Sequence, residues 1–283
     1  MQLCQTNAEL ALAISAAREE GRSIGFVPTM GALHDGHLSL IRQSKADGHF
    51  TIVSVFVNPL QFGHGEDFDS YPRTLGVDAR LVTDTGGDVL YAPTPQAVFP
   101  EGAGLPEPDP GELGDSYEGA ARPGHFAGVL KVVSRLLDLV SPDALYLGQK
   151  DAQQVALIRR MVAEQLESGM RQPVSVVVMP TIRDDSGLAM SSRNRRLSEA
   201  ELEIARTIYP ALVSSAASGK DASAICELAK AALSPEARLD YLEVVDEQFE
   251  KVQGKPPAGS RLIVAANVGS VRLIDNVLIG GEE

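Results

Sequence analysis

The chain has 283 residues, with 25 Lys or Arg against 38 Asp or Glu, so its formal net charge is −13 at pH 7. Non-specific binding to a polyphosphate backbone requires a broad basic face, so this balance argues against nucleic acid as the main partner. Hydrophobic residues make up 44% and charged residues 22%, which excludes wholesale disorder and fibrous repeats. A chain of this length is expected to hold one large domain or two unequal ones.

The two cysteines, Cys4 and Cys226, have no CxxC or Cys/His spacing around them. Neither a disulfide framework nor a structural zinc site is therefore predicted. The N-terminal segment lacks a basic stretch followed by an apolar run, and about eighteen consecutive apolar residues occur nowhere. The sequence predicts a cytoplasmic protein in a reducing compartment, with no membrane contact.

Short apolar runs alternate with helical patterns along the first part of the chain. A helix is predicted over 6–20, and further helices over 36–45, 77–85, 126–139 and 152–167. Strands are predicted at 24–27, 51–57, 89–91, 144–147 and 174–179. Because several of these runs are apolar throughout, we expect an α/β fold with a Rossmann-like, doubly wound parallel sheet covered on both faces. Such sheets bind ligands beyond the carboxyl ends of their strands.

The pattern changes after about residue 181. The segment 93–123 is rich in Pro and Gly and predicts a long surface connection. Helical patterns at 198–218 and 222–233 then precede strands at 239–245, 262–268 and 271–274. The sequence therefore predicts a Rossmann-like ligand-binding domain over 1–181 and a smaller α+β domain over 182–283.

The first predicted strand leads into the segment PTMGALHDGH, residues 28–37, and then into a helix. Such a loop directs backbone N–H groups and the positive helix end at an anion, and Gly31 permits close backbone approach. His34 and His37 could donate hydrogen bonds to nucleotide phosphates. The segment is not a P-loop, because His37 stands where its lysine would be. Two alternatives are polar loop residues and a zinc-binding pair, although no third His or Cys lies nearby in sequence.

Polar side chains also follow the later strands. Asn58 and Gln61 offer neutral amides that suit a small polar substrate, although Asn-Pro also makes a simple turn. Gly148 and Lys150 follow the strand at 144–147, and the ammonium could either reach phosphates or form a solvated pair with Asp151.

The last predicted strand of the first domain leads to a loop containing Ser191, Ser192 and Arg193. Two hydroxyls and a guanidinium could clamp a triphosphate, although the same residues could form a surface turn. The loop lies between the two predicted domains in sequence, a position that suits a moving lid.

The segments PTMGALHDGH, FVNPLQF with YPRT, RPGHFAGV, GQKDAQQ and GLAMSSRN, in this order, resemble the pantoate–β-alanine ligase family along nearly the whole chain. That family is similar to the nucleotidyltransferase superfamily, in which HxGH binds ATP phosphates and a KMSKS-like loop closes over them. The resemblance implies ATP-dependent condensation of pantoate with β-alanine through a pantoyl adenylate, with release of AMP and pyrophosphate. It also implies ATP as co-substrate, Mg²⁺ as cofactor and a homodimer.

The resemblance also assigns roles to the residues that match the family's motifs. The implied catalytic residues are His34, His37, Lys150, Ser191, Ser192 and Arg193. The implied ATP-binding residues are Met30, Gly31, His34, Gly36, His37, Gly148, Lys150, Asp151, Ile182, Met190, Ser191, Ser192 and Arg193. The residues implied to bind pantoate are Met30, Asn58, Gln61 and Gln154.

Two departures from the family's pattern affect charge near the expected phosphates. Gln149 replaces a glutamate that many relatives carry, and the acidic run after YPRT is reduced to Asp78, the remaining candidate for a Mg²⁺ ligand. His125, in the HFAGV segment, matches either a pocket residue or a structural one.

Two other functions remain open from the residues alone. A nucleotidylyltransferase acting on a phosphorylated acceptor would need extra Arg or Lys where Asn58, Gln61 and Gln154 are neutral. A nucleotide-binding regulatory protein without catalysis would not need both histidines, Lys150 and the Ser-Ser-Arg loop. A test for pyrophosphate release with ATP and pantoate would separate this last function from the ligase.

Overall fold

The computed structural model describes residues 1–63 and 65–281, which form two compact units. The first unit comprises Met1–Gly148 and Leu157–Met179, and the second comprises Gln149–Ala156 and the described residues from Pro180 onward. Residues 149–156 thus pack with the second unit, whereas the sequence placed the whole of 1–181 in one domain. Within the described ranges, no helix is both long enough and apolar enough to cross a bilayer.

A six-stranded sheet forms the centre of the first unit. Its strands are β1 Gln2–Cys4, β2 Ile24–Thr29, β3 Phe50–Val55, β4 Val89–Tyr91, β5 Ala144–Gly148 and β6 Ser175–Met179. The spatial order is β1-β4-β3-β2-β5-β6, and neighbouring strands are parallel. From β2 the chain adds strands first on one side and then on the other, so the predicted doubly wound, Rossmann-like sheet is confirmed.

The helices that connect these strands begin and end at recognisable signals. They are α1 Asn7–Glu19, α2 Asp35–Ala46, α3 Leu75–Thr85, α4 Pro95–Val98, α5 Glu118–Ala121, α6 His125–Val140 and α7 Ala152–Glu167. Helix α1 starts with a capping box, in which Thr6 Oγ1 accepts from the Glu9 N–H and Glu9 Oε2 accepts from the Thr6 N–H. Helix α3 ends at Gly86, whose φ of 89° suits a residue without Cβ.

Both faces of the sheet are buried. Val27 and Val53 belong to a core cluster that includes Ile41 of α2 and Val82 of α3. Phe26, which points to the opposite face of β2, has no exposed surface either. Side chains alternate between the faces of a strand, so continuous apolar runs mark strands covered on both sides, as the sequence predicted.

The second unit combines helices with a small antiparallel sheet. Its helices are α8 Glu199–Ala205, α9 Ile208–Ala216 and α10 Ala222–Ala232, and its strands are β7 Arg238–Val245, β8 Arg261–Val268 and β9 Val271–Leu278. The strands lie in the order β7-β8-β9 and pair antiparallel. Their buried side chains form one core cluster with residues of the helices, among them Leu212 and Ile225. The predicted α+β unit is thereby confirmed.

Three differences from the predicted elements have a clear physical reason or change the description of a segment, and β9 is also four residues longer than predicted. The helix predicted over 198–218 is two helices, because Pro210 has no N–H to bond the Arg206 carbonyl and therefore ends the hydrogen-bond ladder there. Strand β1 was not predicted, since three residues are too few to show a period. The segment 93–123 contains α4, α5 and a 3-10 turn at Glu112–Asp115 instead of irregular chain alone.

Candidate active site

The glycine loop, residues 30–34, connects β2 to α2 in a strained conformation. Gly31 has φ +83° and Ala32 has φ +50°. A Cβ on Gly31 would lie 2.8 Å from Val55 Cγ1 and 3.1 Å from Asp78 Oδ2, so both the backbone angle and the space require glycine. The carboxylate of Asp78 accepts hydrogen bonds from the Leu33 N–H at 2.9 Å and the Ala32 N–H at 3.2 Å. Helix α3 thus holds the loop through a buried charge.

This use of Asp78 bears on its predicted metal role. Its side chain has no exposed surface, and Oδ2 also accepts from the Thr74 hydroxyl at 3.1 Å. Within residues 1–63 and 65–281, no group of three or more His, Cys, Asp or Glu side chains is placed to hold a metal ion. Because its oxygens accept hydrogen bonds from the loop backbone, Asp78 does not fit the role of a Mg²⁺ ligand.

His34, the last residue of the glycine loop, and His37, in the first turn of α2, stand together. Their ring centroids are 4.0 Å apart with an interplanar angle of 35°. The His34 N–H donates to His37 Nδ1 at 3.4 Å. A neutral imidazole that accepts at Nδ1 carries its hydrogen on Nε2, so His37 offers a donor at the far side of the ring. Both side chains are partly exposed at the positive end of a helix, which suits an anion.

The amide turn, Asn58 with the 3-10 turn Pro59–Gln61, follows β3 and meets the glycine loop. Asn58 is 1% exposed and Gln61 9%. Asn58 Nδ2 donates to Gln61 Oε1 at 3.1 Å and to the Gly128 carbonyl at 3.0 Å. Gln61 Nε2 lies 3.0 Å from the sulfur of Met30. The structure therefore brings three of the four residues expected to bind pantoate into direct contact.

His125 begins α6 and touches the amide turn. Arg122 Nη1 donates to His125 Nε2 at 3.0 Å, so Nδ1 carries the hydrogen and donates to the Gln61 carbonyl at 2.8 Å. Burial, with a further contribution from the Arg122 charge, lowers the pKa of His125 to about 4. The sequence left open whether His125 lines a pocket or has a structural role. Its hydrogen bonds are with Arg122 and the Gln61 carbonyl, which favours a structural role.

Replacing His125 with asparagine is expected to flatten the pH dependence of stability. The unfolded histidine, with a pKa of 6.5, binds a proton that the folded one with a pKa of about 4 excludes, so stability falls as pH drops below about 6.5. This group alone removes about 2 kcal/mol of unfolding free energy between about pH 7 and about pH 5. Urea unfolding at both pH values measures the loss, and an equal loss in wild type and H125N would contradict the assignment.

Lys150 and Asp151, which belong to the second unit, lie in the 3-10 turn Gln149–Asp151. Lys150 Nζ is 3.9 Å from Asp151 Oδ1, a long ion pair. Asn276 of β9, which is 2% exposed, donates from Nδ2 to the carbonyls of Gln149 at 3.0 Å and Lys150 at 3.1 Å. Its Oδ1 accepts from Arg261 Nε at 2.6 Å, which fixes the orientation of the amide. The turn that carries the ammonium is therefore fastened to the small sheet.

The loop that contains Ser191 folds back on itself within the second unit. The Met190 N–H donates to the Ile182 carbonyl at 2.9 Å, so these two predicted ATP-binding residues lie side by side. Ser191 caps the 3-10 turn Ser192–Arg196, its Oγ accepting from the Arg193 N–H at 3.3 Å. Ser192 and Arg193 therefore lie in one short turn.

The predicted site residues fall into two groups. Those in the first unit are Met30, Gly31, His34, Gly36, His37, Asn58, Gln61, Asp78 and Gly148. Those in the second are Lys150, Asp151, Gln154, Ile182, Met190, Ser191, Ser192 and Arg193. Sequence reasoning did not assign roles to Arg122 or Asn276. The RPGHFAGV segment drew attention to the neighbourhood of Arg122, whereas no signal marked Asn276.

Comparison with known proteins bears on the identity of this arrangement. The sequence model of the family described as pantoate-beta-alanine ligase matches residues 2–278. Pantothenate synthetase from Nocardioides sp. (strain ATCC BAA-499 / JS614) is 45% identical over 286 residues, covering 97% of this chain and 84% of the relative. Pantothenate synthetase from Mycobacterium sp. (strain KMS) is 46% identical over 268 residues, covering 93% and 83%.

Solved structures are similar over the whole chain. The crystal structure of pantothenate synthetase from Thermus thermophilus has a TM-score of 0.90 and 42% identity, with 99% of both chains covered. The pantoate-beta-alanine ligase from Francisella tularensis, solved in complex with beta-gamma ATP and beta-alanine, has a TM-score of 0.80 and 35% identity, covering 100% of this chain and 99% of the other. The chain belongs to the pantoate–β-alanine ligase family.

Proposed function

We propose that this chain catalyses the ATP-dependent condensation of pantoate with β-alanine to pantothenate, with release of AMP and pyrophosphate. Its relatives carry the name pantothenate synthetase, and the Francisella tularensis relative was solved with beta-gamma ATP and beta-alanine. The observation that carries the proposal is the 3.0 Å contact between Gln61 Nε2 and the Met30 sulfur. It brings the neutral amide of Gln61 beside the glycine loop, whose last residue is His34, and this supports a site where an organic acid and a nucleotide phosphate meet.

The first step activates the acid. An oxygen of the pantoate carboxylate attacks the α-phosphorus of ATP, the new O–P bond forms, and the bond to the β-phosphate oxygen breaks, so pyrophosphate leaves. Negative charge grows on the phosphate oxygens as this happens. Donors already in place at the start of α2, His37 Nε2–H among them, stabilise that charge without reorganising. A nucleophilic side chain is not required, because the substrate supplies the nucleophile.

The second step forms the amide. The unprotonated amine of β-alanine attacks the acyl carbon of the adenylate, the C–N bond forms, and the bond from the acyl carbon to the phosphate oxygen breaks. AMP leaves with the electron pair, and the amine nitrogen loses its extra proton to solvent. The carboxylate alone would be a poor acyl donor at neutral pH, and the phosphate leaving group removes that difficulty. The protein contributes chiefly by holding the reactants together.

The charges around Gln61 favour this reaction over transfer to a phosphorylated acceptor. An acceptor phosphate would need a cation available in the pocket. Arg122 lies beside the Gln61 carbonyl, but its Nε and Nη2 donate to both carboxylate oxygens of Glu66, at 2.9 and 2.6 Å. The charge is thereby balanced, and Asn58 and Gln61 leave a neutral surface suited to a hydroxy acid.

We extend the proposal to the second unit, which we take to be a lid domain. In this role Lys150 and the Ser191-Ser192-Arg193 turn bind the phosphates, Asp151, Ile182 and Met190 line the nucleotide site, and Gln154 binds pantoate. Lys150 is a compact cation on a turn fastened by Asn276, which favours a fixed position for the ammonium. The first unit then supplies the remaining expected ATP-binding residues, which are Met30, Gly31, His34, Gly36, His37 and Gly148.

Mg²⁺ belongs to this proposal as the ion that ATP carries, bound through the phosphate oxygens. The proposal does not use Asp78 as its ligand, since the Asp78 oxygens accept hydrogen bonds from the glycine loop. The family resemblance further implies a homodimer, which sedimentation analysis would test. A cytoplasmic location is consistent with two cysteines that form no disulfide, Cys4 and Cys226.

The proposed reaction can be tested by leaving out the amine. Wild-type protein incubated with ATP, Mg²⁺ and pantoate is expected to hold a pantoyl adenylate, detected by mass spectrometry, and to release pyrophosphate in a burst. Adding β-alanine should convert the adenylate to pantothenate and AMP. The proposal would be contradicted if pyrophosphate were released at the same rate without pantoate. It would also be contradicted if no adenylate formed with ATP, Mg²⁺ and pantoate all present.

Replacing Gln61 with alanine is expected to weaken the binding of pantoate and to leave the binding of ATP unchanged. The variant loses an amide N–H donor in the pocket, which costs about a factor of 10 in the KM for pantoate. Steady-state kinetics with each substrate varied in turn measures the split. The control is Q43A, which removes a partly exposed glutamine of α2 that donates a hydrogen bond to Asp47. An equal rise in both KM values for Q61A would argue against the pantoate assignment.

A further inference from the structure

Three side chains form a connected line that ends on the backbone of Gln61. Glu66 accepts two hydrogen bonds from Arg122, at 2.9 Å from Nε and 2.6 Å from Nη2. Arg122 Nη1 donates to His125 Nε2 at 3.0 Å, and His125 Nδ1 donates to the Gln61 carbonyl at 2.8 Å. A second bond runs from Arg122 Nη2 to the same carbonyl at 3.3 Å. One backbone oxygen therefore receives two donors from one short segment of chain.

The geometry of this line leaves little freedom to its members. The guanidinium is planar, and its fork meets Glu66 with two parallel bonds, which fixes the direction in which Nη1 points. His125 must then accept at Nε2 and donate at Nδ1. The side chains of Arg122 and Glu66 are only 17% and 24% exposed, and His125 is 9% exposed. Partial burial shields these bonds from competing water.

Helix α6 also approaches the amide turn more closely than a side chain would allow. A Cβ on Gly128 would lie 2.1 Å from the Leu60 carbonyl oxygen and 2.7 Å from the Gln61 nitrogen. The Gly128 carbonyl accepts from Asn58 Nδ2 at 3.0 Å. The first turn of α6 and the amide turn are therefore joined by direct backbone packing as well as by the line of side chains.

The backbone position of Gln61 determines where its amide head lies. Oε1 accepts from Asn58 Nδ2, which leaves Nε2 and its hydrogens as the donors of the head. The Nε2 atom lies 3.0 Å from the Met30 sulfur, beside the glycine loop. A carboxylate or hydroxyl in the pocket would accept from the same nitrogen. Small displacements of such a donor are costly, because productive geometry tolerates only a fraction of an ångström.

We propose that Arg122 and His125, with Glu66 as the counter-charge, are positioning residues that hold Gln61 in place to bind the acid substrate. The inference rests on the proposed function, in which that substrate is pantoate. Neither residue needs to touch pantoate, since both act through the Gln61 carbonyl. The line thus gives a reason for a partly buried arginine beside the neutral amides of Asn58 and Gln61.

A double-mutant cycle separates positioning from general support. R122Q is expected to raise the KM for pantoate by about 10-fold, with the KM for ATP within about twofold of wild type. In the Q61A background the same change should add little, because the side chain that it positions is already gone. The control is R171Q, which removes another partly buried arginine whose partners are Gln165, Ser134 and Asp138. It should leave both KM values unchanged.

Two histidine variants sharpen the result. An asparagine nitrogen occupies nearly the place of the imidazole Nδ1, so H125N should keep the KM for pantoate close to wild type. H125Q reaches past that place and should raise it as R122Q does. Thermal unfolding of each variant checks that the differences do not follow stability alone.

Each outcome decides the inference. The inference would be overturned if the effects of R122Q and Q61A on the KM for pantoate multiplied in the double variant. It would also be overturned if R122Q raised the KM for ATP as much as that for pantoate, or if H125N and H125Q had the same KM for pantoate. If the wild type forms pantoyl adenylate while these losses multiply, only the positioning role fails. If the wild type forms no adenylate from ATP, Mg²⁺ and pantoate, the proposed function fails and takes this inference with it.

Discussion

Replacing His37 with asparagine is expected to slow pantoyl adenylate formation by ~10²- to 10³-fold, which is the cost of losing one preorganised donor to developing charge. The asparagine oxygen can still accept the His34 N–H that His37 Nδ1 accepts at 3.4 Å, so the start of α2 should keep its shape. The donor at Nε2 is lost. Rapid-quench measurement of pyrophosphate release in the absence of β-alanine isolates this step.

Two further variants show whether the donor itself is responsible. H37Q carries a nitrogen near the place of Nε2 and should recover part of the rate. H49Q removes a histidine that bonds Ser23, away from the glycine loop in sequence, and should leave the rate unchanged. Far-UV circular dichroism should be the same for all three. A full rate for H37N would contradict the proposed phosphate role of His37.

Features carried by neighbouring residues in sequence could be predicted without a structure. The connection from β2 to α2 is such a feature, because a strand, a glycine and a pair of histidines follow one another within residues 24–37. The same locality explains why the apolar runs at β2 and β3 identified a sheet buried on both faces. The helix break near Pro210 could also have been predicted, since proline cannot continue the hydrogen-bond ladder from the preceding turn.

Features made by contacts between distant residues could not be predicted in this way. Asp78 supports the loop from 45 and 46 positions away, and its place after YPRT indicated a metal ligand rather than a backbone acceptor. Asn276 lies 126 positions from Lys150, and nothing in the sequence of its strand indicates that it donates to the carbonyl of Lys150. Both are buried polar groups whose partners depend on the folded topology, so sequence spacing carries no information about them.

The chemistry of the candidate site divides in the same manner. His37 and Gln61 could be proposed as site residues from the sequence because they follow strands of a parallel sheet, and such sheets bind ligands beyond the carboxyl ends of their strands. The tautomer of His125 and the amide orientation of Gln61 follow only from their partners, Arg122 and Asn58. Those orientations decide which atoms can donate to a ligand, and they depend on partners that are brought together only in the folded protein.

Replacing Asp275 with alanine is expected to remove ~3–5 kcal/mol from the stability of the second unit, because it leaves a buried charge without its partner. Asp275 accepts from Arg183 at 2.6 Å and 2.9 Å in a two-pronged pair, and the two side chains are 5% and 10% exposed. The guanidinium also lies 3.6 Å from the centre of the Tyr209 ring, so it cannot turn outward without losing that contact. Hydrogen exchange of β8 and β9 amides measures the loss.

The matched control is E243Q, which removes the charge from the more exposed pair of Glu243 with Lys251 and should cost less than about 1 kcal/mol. The double variant R183M/D275L should be more stable than D275A, since it removes both charges and fills the space with apolar atoms. If D275A exchanged no faster than E243Q, the charge of Arg183 would have to be compensated elsewhere. Because Asp275 adjoins Asn276, loosening β9 should also raise the KM for ATP through the Lys150 turn, and R183M/D275L should restore it in proportion to stability.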